Sequence, residues 1–246
     1  MILFHFQLPT PNGQLPSTPN SQVPTPNWDL EYCWRLGVGS WEWLGVGRWQ
    51  LAIDKVRVIV GITGATGTVY GVRLLERLRE LDVETHLVIS RWAARTLAHE
   101  TPYSREHVES LASVVYPPGD MGAAISSGSF KTDGMIIAPC SAKTLAAVAH
   151  GFGDNLIHRA ADVVLKERRR LVLAIREAPL SDIHLENMLK LSRMGAVILP
   201  PMPAFYNHPR TIDDLVDHTV ARMLDSFGLE VRGAIRWAGE MGPHED

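Results

Sequence analysis

From about residue 56 onward, short apolar, β-branched runs alternate with stretches whose apolar positions recur every three or four residues. The runs at 56–62, 85–89, 134–138, 171–175 and 196–199 are predominantly apolar and β-branched, the pattern of buried strands. Between them, residues 69–80, 91–100, 143–166 and 183–194 carry helical periodicity, and Thr211 followed by Asp214 reads as a capping box opening a further helix that reaches 227. Strand and helix in repeated order imply right-handed crossovers and a parallel sheet covered on both faces, with ligands at the carboxyl ends of the strands. The expected fold class is α/β, a doubly wound parallel sheet in a single domain.

Residues 1–55 break this pattern. Thr-Pro-Asn occurs at Thr10, Thr18 and Thr25, Leu-Gly-Val-Gly at Leu36 and Leu44, and five of the seven tryptophans fall among these prolines and glycines. The expectation is a poorly ordered low-complexity tail before a domain spanning 56–240. Neither the basic start and apolar stretch of a signal peptide nor an arginine-rich amphipathic presequence stands at its beginning. Translation starting near Val56 is an open alternative.

Composition narrows the function classes. A net charge of −3 supplies no basic field for nucleic acid or anionic membranes, so neither is an expected partner. No apolar run reaches the roughly 20 residues of a spanning helix. Cys33 and Cys140 lie far apart and match no metal spacing, which suggests reduced thiols and a cytoplasmic protein.

Candidate chemistry lies in the loops after the strands. After the first comes Gly61-Ile-Thr-Gly64-Ala65-Thr66-Gly67, where glycines permit close backbone approach and the next helix offers amides to an anion; a simple tight connection is the competing reading. Ser90 follows the second strand, and Pro139-Cys140-Ser141-Ala142-Lys143-Thr144 follows the next, with hydroxyls placed either to cap helices or to meet a ligand. Cys140 has no histidine and acid placed by sequence to activate it, and reads as a small buried hydrophobe.

Taken together, Gly64-Ala65-Thr66-Gly67, Pro139-Cys140-Ser141, Arg159-Ala-Ala-Asp162, Lys166-Glu-Arg-Arg, Arg176-Glu177-Ala-Pro179, His184-Leu-Glu-Asn-Met-Leu-Lys190 and Pro203-Ala-Phe-Tyr206 closely resemble the flavin prenyltransferases, the UbiX-type proteins formerly called aromatic acid decarboxylases. The resemblance is co-linear from about Val56 to Trp237. It implies a Rossmann-like subunit in a large homo-oligomer, usually a dodecamer, with flavin mononucleotide (FMN) between neighbouring subunits. The FMN site implied comprises Gly64, Ala65, Thr66, Ser90, Ser141, Ala142, Lys143, Thr144 and Arg176. Thr66 stands where the family often has serine, keeping the hydroxyl and adding a methyl.

The activity implied joins the dimethylallyl group of dimethylallyl phosphate to N5 and C6 of reduced FMN, for use by a partner decarboxylase. Breaking the carbon–oxygen bond leaves negative charge on phosphate and positive charge on an allyl fragment, so fixed cations must meet one and π-electrons the other. By resemblance, Lys166, Arg176, Tyr206 and Arg222 grip the phosphate, Glu177 is the acid beside it, Glu100 and Thr66 relay a proton, and Trp237 covers the prenyl pocket. Read without the resemblance, Lys166 is a solvated helix end, Arg222 a surface side chain, and Tyr206 after Pro200-Pro201-Met-Pro203 either packing or function.

Two other functions remain open: a flavin-dependent cysteine decarboxylase, in which Lys166, Glu177, Tyr206 and Arg222 would be idle, and a non-catalytic flavin-carrier subunit. Asp213-Asp214-Leu-Val-Asp217 has the form of a magnesium–diphosphate motif, but its place in a first helical turn favours capping. His150, His158 and His184 read as surface or core histidines, and a metal-free mechanism is expected.

Overall fold

A computed structural model describes residues 55–237 and 239. The tail expected before Val56, with its five tryptophans and Cys33, lies outside the described residues, Lys55 apart.

Six parallel strands form one sheet in the order β3-β2-β1-β4-β5-β6. They are β1 (Arg57–Ile62), β2 (Glu84–Ile89), β3 (Val114–Tyr116), β4 (Gly134–Cys140), β5 (Arg170–Ile175) and β6 (Val197–Ile198). Seven helices connect or flank them: α1 (Thr68–Glu80), α2 (Arg91–Glu100), α3 (Arg105–Ser110), α4 (Ala142–Ala149), α5 (Leu156–Lys166), α6 (Asp182–Arg193) and α7 (Ile212–Asp225). This is the Rossmann-like strand order, and the direction of winding reverses between β1 and β4, where such sheets open a crevice for ligand.

Alternation along the central strands builds a core on each face. Ile59, Met135, Ile137, Leu171 and Leu173 join α4, α5 and α6 in one apolar layer. Val58, Val60, Ile136, Val172 and Ala174 join α1, α2 and α7 in the other. Successive side chains point to opposite faces, so a strand covered on both sides must be apolar at every position.

Four of the expected strands and four of the expected helices stand within a residue or two of their sequence limits, and β4 runs on to Cys140. The helix expected over 143–166 is two helices. Gly151 at φ 66° ends α4: its amide and that of Phe152 return to Val148 O and Ala147 O at 3.3 and 2.8 Å, closing a Schellman turn. Asn155 then caps α5 by accepting from His158 N at 3.1 Å. The helix expected to reach 227 ends at Asp225.

β3 and α3 were not expected. β3 is a three-residue edge strand with Val114 and Val115 about a third exposed, too short and too wet for an apolar run. α3 is six residues long, capped by Ser104 through His107 N.

The three aspartates of α7 are accounted for by helix structure. Thr211 and Asp214 form the capping box, while Asp213 and Asp217 bind Arg73 at 3.0 and 2.6 Å and Asp217 also meets Arg77 at 3.1 Å. These ion pairs clamp α7 to α1. His184 completes a capping box with Ser181 at the start of α6, and His150 Nε2 lies 3.0 Å from Asn187 Oδ1. Among the described residues no helix is long and apolar enough to cross a membrane.

Candidate functional site

The carboxyl edge of the sheet at the switch point is stitched by Thr63, fully buried just after β1. Its hydroxyl donates to Pro139 O at 2.7 Å and accepts from Ser141 N at 2.8 Å, binding the loop after β1 to the loop after β4. Beside this stitch opens a cavity of about 540 Å³, within the ~300–1,000 Å³ of small-molecule sites. Gly64, Ser90, Ser141, Lys143 and Thr144 line it, five of the nine residues expected at a cofactor. Ala65, Thr66 and Ala142 are their chain neighbours. Arg176 directly follows β5, its amide donating to Cys140 O at 3.0 Å, with its side chain exposed.

Glycine at position 64 is a packing requirement. A methyl there would stand 2.5 Å from Trp92 Cβ, because the first turn of α2 passes directly over the loop. Trp92, 64% exposed at the cavity wall, carries the Arg95 guanidinium 5.1 Å from its ring centroid.

Ser90 and Ser141 both cap helices and line the cavity. Ser90 accepts from Ala93 N at 3.1 Å and Ser141 from Thr144 N at 3.3 Å. The Ser141 hydroxyl donates to Thr144 Oγ1 at 3.1 Å, which leaves the Thr144 proton to meet a ligand. The amides of Ala142 and Lys143 belong to the unpaired first turn of α4, the positive end of its dipole. Lys143 also stands 3.6 Å from Asp154.

The other helix terminus at this edge is already taken. Glu100, the last residue of α2, accepts from Gly67 N at 2.8 Å and from Thr68 N and Thr68 Oγ1 at 3.2 Å each. Burial works against its charge, but the Thr66 hydroxyl and these amides outweigh it and hold the carboxyl below its usual range. The amides expected to receive an anion after β1 therefore receive a carboxylate from the same chain. The Thr66 hydroxyl, expected to act with Glu100, helps hold that carboxyl ionised.

The remaining candidates do not gather at this cavity within one protomer. Lys166 ends α5 and pairs with Glu167 just before β5, whereas Arg176 and Glu177 follow β5. A six-residue strand separates those ends by about 20 Å. The Glu177 side chain is exposed and accepts from Ala178 N at 3.3 Å. Tyr206 and Trp237 do meet, ring centroids 5.8 Å apart, and Arg222 lies one turn beyond His218, whose Nε2 is 3.3 Å from Tyr206 Oη. Arg222 itself binds Asp225 at 2.9 Å.

Cys140 is fully buried and its thiol is pushed up to about 12 by that burial, as befits an inert core residue. Sequence reasoning passed over Thr63, Trp92, Asn155 and His218, and read His158 only as a surface or core histidine. His158 is buried in the cavity wall with Nδ1 2.6 Å from Asp154 Oδ1; burial holds it below the usual imidazole range despite that partner. Asn155 had a legible signal, since an asparagine after Gly-Phe-Gly-Asp marks a helix start.

Comparison with known proteins agrees with this fold. Residues 49–224 match the family described as Flavoprotein. A probable UbiX-like flavin prenyltransferase from Streptomyces is 63% identical over 185 residues, 75% of this chain and 92% of that protein. The crystal structure of a dodecameric FMN-dependent UbiX-like decarboxylase from Escherichia coli superposes with a TM-score of 0.74 at 62% identity, over 75% of this chain and all of that one. That of AnUbiX (PadA1), in complex with FMN and dimethylallyl pyrophosphate, gives 0.75 at 55% identity over 76% of this chain and all of its own. With a cavity at the switch point, hydroxyls at the α4 terminus and this degree of identity across the folded part, the chain belongs to the flavoprotein family, among its UbiX-like flavin prenyltransferases.

Proposed function

We propose that this chain transfers the dimethylallyl group of dimethylallyl phosphate to N5 and C6 of reduced FMN, making a prenylated flavin for a partner decarboxylase, and that residues 56–240 form the working domain. The observation that carries the reading is the cavity beside Thr63, where a glycine loop, two serine caps and the α4 N-terminus converge at the switch point.

FMN fits what is there. The α4 amides, Thr144 and Lys143 offer its phosphate donors and positive charge, Ser90 adds a hydroxyl, and Gly64 lets backbone approach the ring system. Reduced FMN, when bound, supplies the nucleophilic N5 and C6. As the ester bond breaks, its electron pair leaves with phosphate; Arg176 meets that charge with two parallel N–H donors, and Glu177 delivers a proton to the departing oxygen. Glu100, held ionised by its amides, accepts a proton through the Thr66 hydroxyl. Trp237 offers an indole face to the allyl cation.

Lys166, at the opposite edge of its own sheet, reaches a phosphate only in a neighbouring copy's site, so the reading calls for a homo-oligomer. The E. coli relative is dodecameric, which supports an assembly of that kind here. The free thiol of Cys140 suits a cytoplasmic setting.

The test is anaerobic incubation of the protein with reduced FMN and dimethylallyl phosphate, followed by mass spectrometry of the flavin. A gain of one isoprene unit is expected; an unchanged flavin mass would overturn the reading. The cavity has its own test. Gly64→Ala drives a methyl into Trp92 and displaces Ser90, and is expected to weaken FMN binding at least about tenfold, the equivalent of ~1.4 kcal/mol of overpacking. Fluorescence titration of FMN reads this directly, and wild-type affinity would place the flavin elsewhere.

A further inference from the structure

Two hydrogen bonds fix the ring of His218. Asn207 presents Nδ2 to His218 Nδ1 at 3.2 Å, and His218 Nε2 lies 3.3 Å from Tyr206 Oη. The imidazole meets the phenol at 86° with centroids 5.7 Å apart, and Trp237 closes another side of the phenol. An amide nitrogen only donates, so Nδ1 accepts, and the single proton of the neutral ring sits on Nε2. Burial sets the amide's orientation. Asn207 Oδ1 is enclosed without a partner, and turning the amide over would enclose an N–H instead, a rarer orphan than a carbonyl oxygen. Burial and the nearby Arg222 hold His218 below the usual imidazole range against the pull of Asp225, which keeps the ring neutral.

The geometry points to His218 as a positioning residue: its Nε2–H donates to Tyr206 Oη and thereby turns the phenol's own proton outward, toward an oxygen of the substrate's phosphate. This deepens the function proposed above and rests on it. With the opposite tautomer the phenol would donate inward to Nε2 and face the phosphate with lone pairs alone.

The test uses the full-length protein. His218→Phe keeps a ring against Tyr206 and loses the N–H; with saturating reduced FMN it should raise KM for dimethylallyl phosphate about five- to tenfold at near-constant kcat, the value of one hydrogen bond. His218→Gln places an amide N–H near the position of Nε2 and should stay within about twofold of wild type. Tyr206→Phe combined with His218→Phe should be no worse than Tyr206→Phe alone, because both remove the same contact. An unchanged KM in His218→Phe, or full additivity in the pair, would overturn the proposal.

A second measurement stands apart from activity. In ¹⁵N NMR of protein labelled in its histidine rings, the signals lost in His218→Phe should show a protonated Nε2 and a bare Nδ1, and the reverse pattern refutes the arrangement. Wild-type protein that leaves the flavin mass unchanged would sink the prenyl-transfer reading, and the NMR would still decide where the proton lies.

Discussion

Glu177→Gln is expected to slow prenyl transfer by about a hundred- to ten-thousandfold, the usual contribution of a positioned acid, while FMN stays bound. Glutamine keeps the shape of the side chain and its acceptor for Ala178 N but has no proton to give. Lys166→Ala should be milder, about ten- to a hundredfold, as for a lost charge-assisted contact. Neither residue lines the cavity beside Gly64 and Ser141, and Lys166 stands across the sheet from it in its own protomer. Single-turnover formation of prenylated flavin measures the rate, and a flavin titration measures the affinity. Loss of bound FMN in both variants would contradict this division of labour.

Gly71→Ala is expected to destabilise the fold by about 2 kcal/mol net and to lower Tm by roughly 4 to 8 °C. Gly71 lies where α1 rests on β4. A methyl there would sit 2.5 Å from Ala138 O and 2.8 Å from Ile62 Cδ1, and the first of these is backbone that cannot swing aside. Better helix propensity offsets part of the cost. Gly153→Ala is the control, since nothing stands within 4 Å of the added methyl, and its melting curve should match wild type. A Gly71→Ala protein that melts with wild type would mean that α1 and β4 are less closely packed than described.

What the sequence disclosed follows from the range of the forces involved. β1, β4 and β5 were legible because a strand buried on both faces must be apolar throughout, and nothing distant is needed to see it. β3 escaped because three half-wet residues carry no pattern. The break between α4 and α5 was written in Gly151 and Asn155, but the apolar periodicity on either side was read through it. Within the site, Gly64, Ser90 and Ser141 were found because strand ends mark the ligand edge of this architecture. His218 was missed because its role depends on Tyr206 and Asn207, which a rigid proline-rich loop folds back onto α7. Lys166 and Arg176 are ten positions apart in the chain and lie at opposite edges of the sheet, because the strand between them is fully extended.

Glu100 had one local signal, an acid in the last turn of a helix, where the dipole disfavours it. Dehydrogenases of related architecture seat the pyrophosphate of a dinucleotide on the helix that follows the first strand. Here that seat carries a tethered anion of the protein's own, ionised and satisfied by three donors. A nicotinamide coenzyme seeking that seat for its pyrophosphate would have to displace a covalently attached competitor and meet its charge.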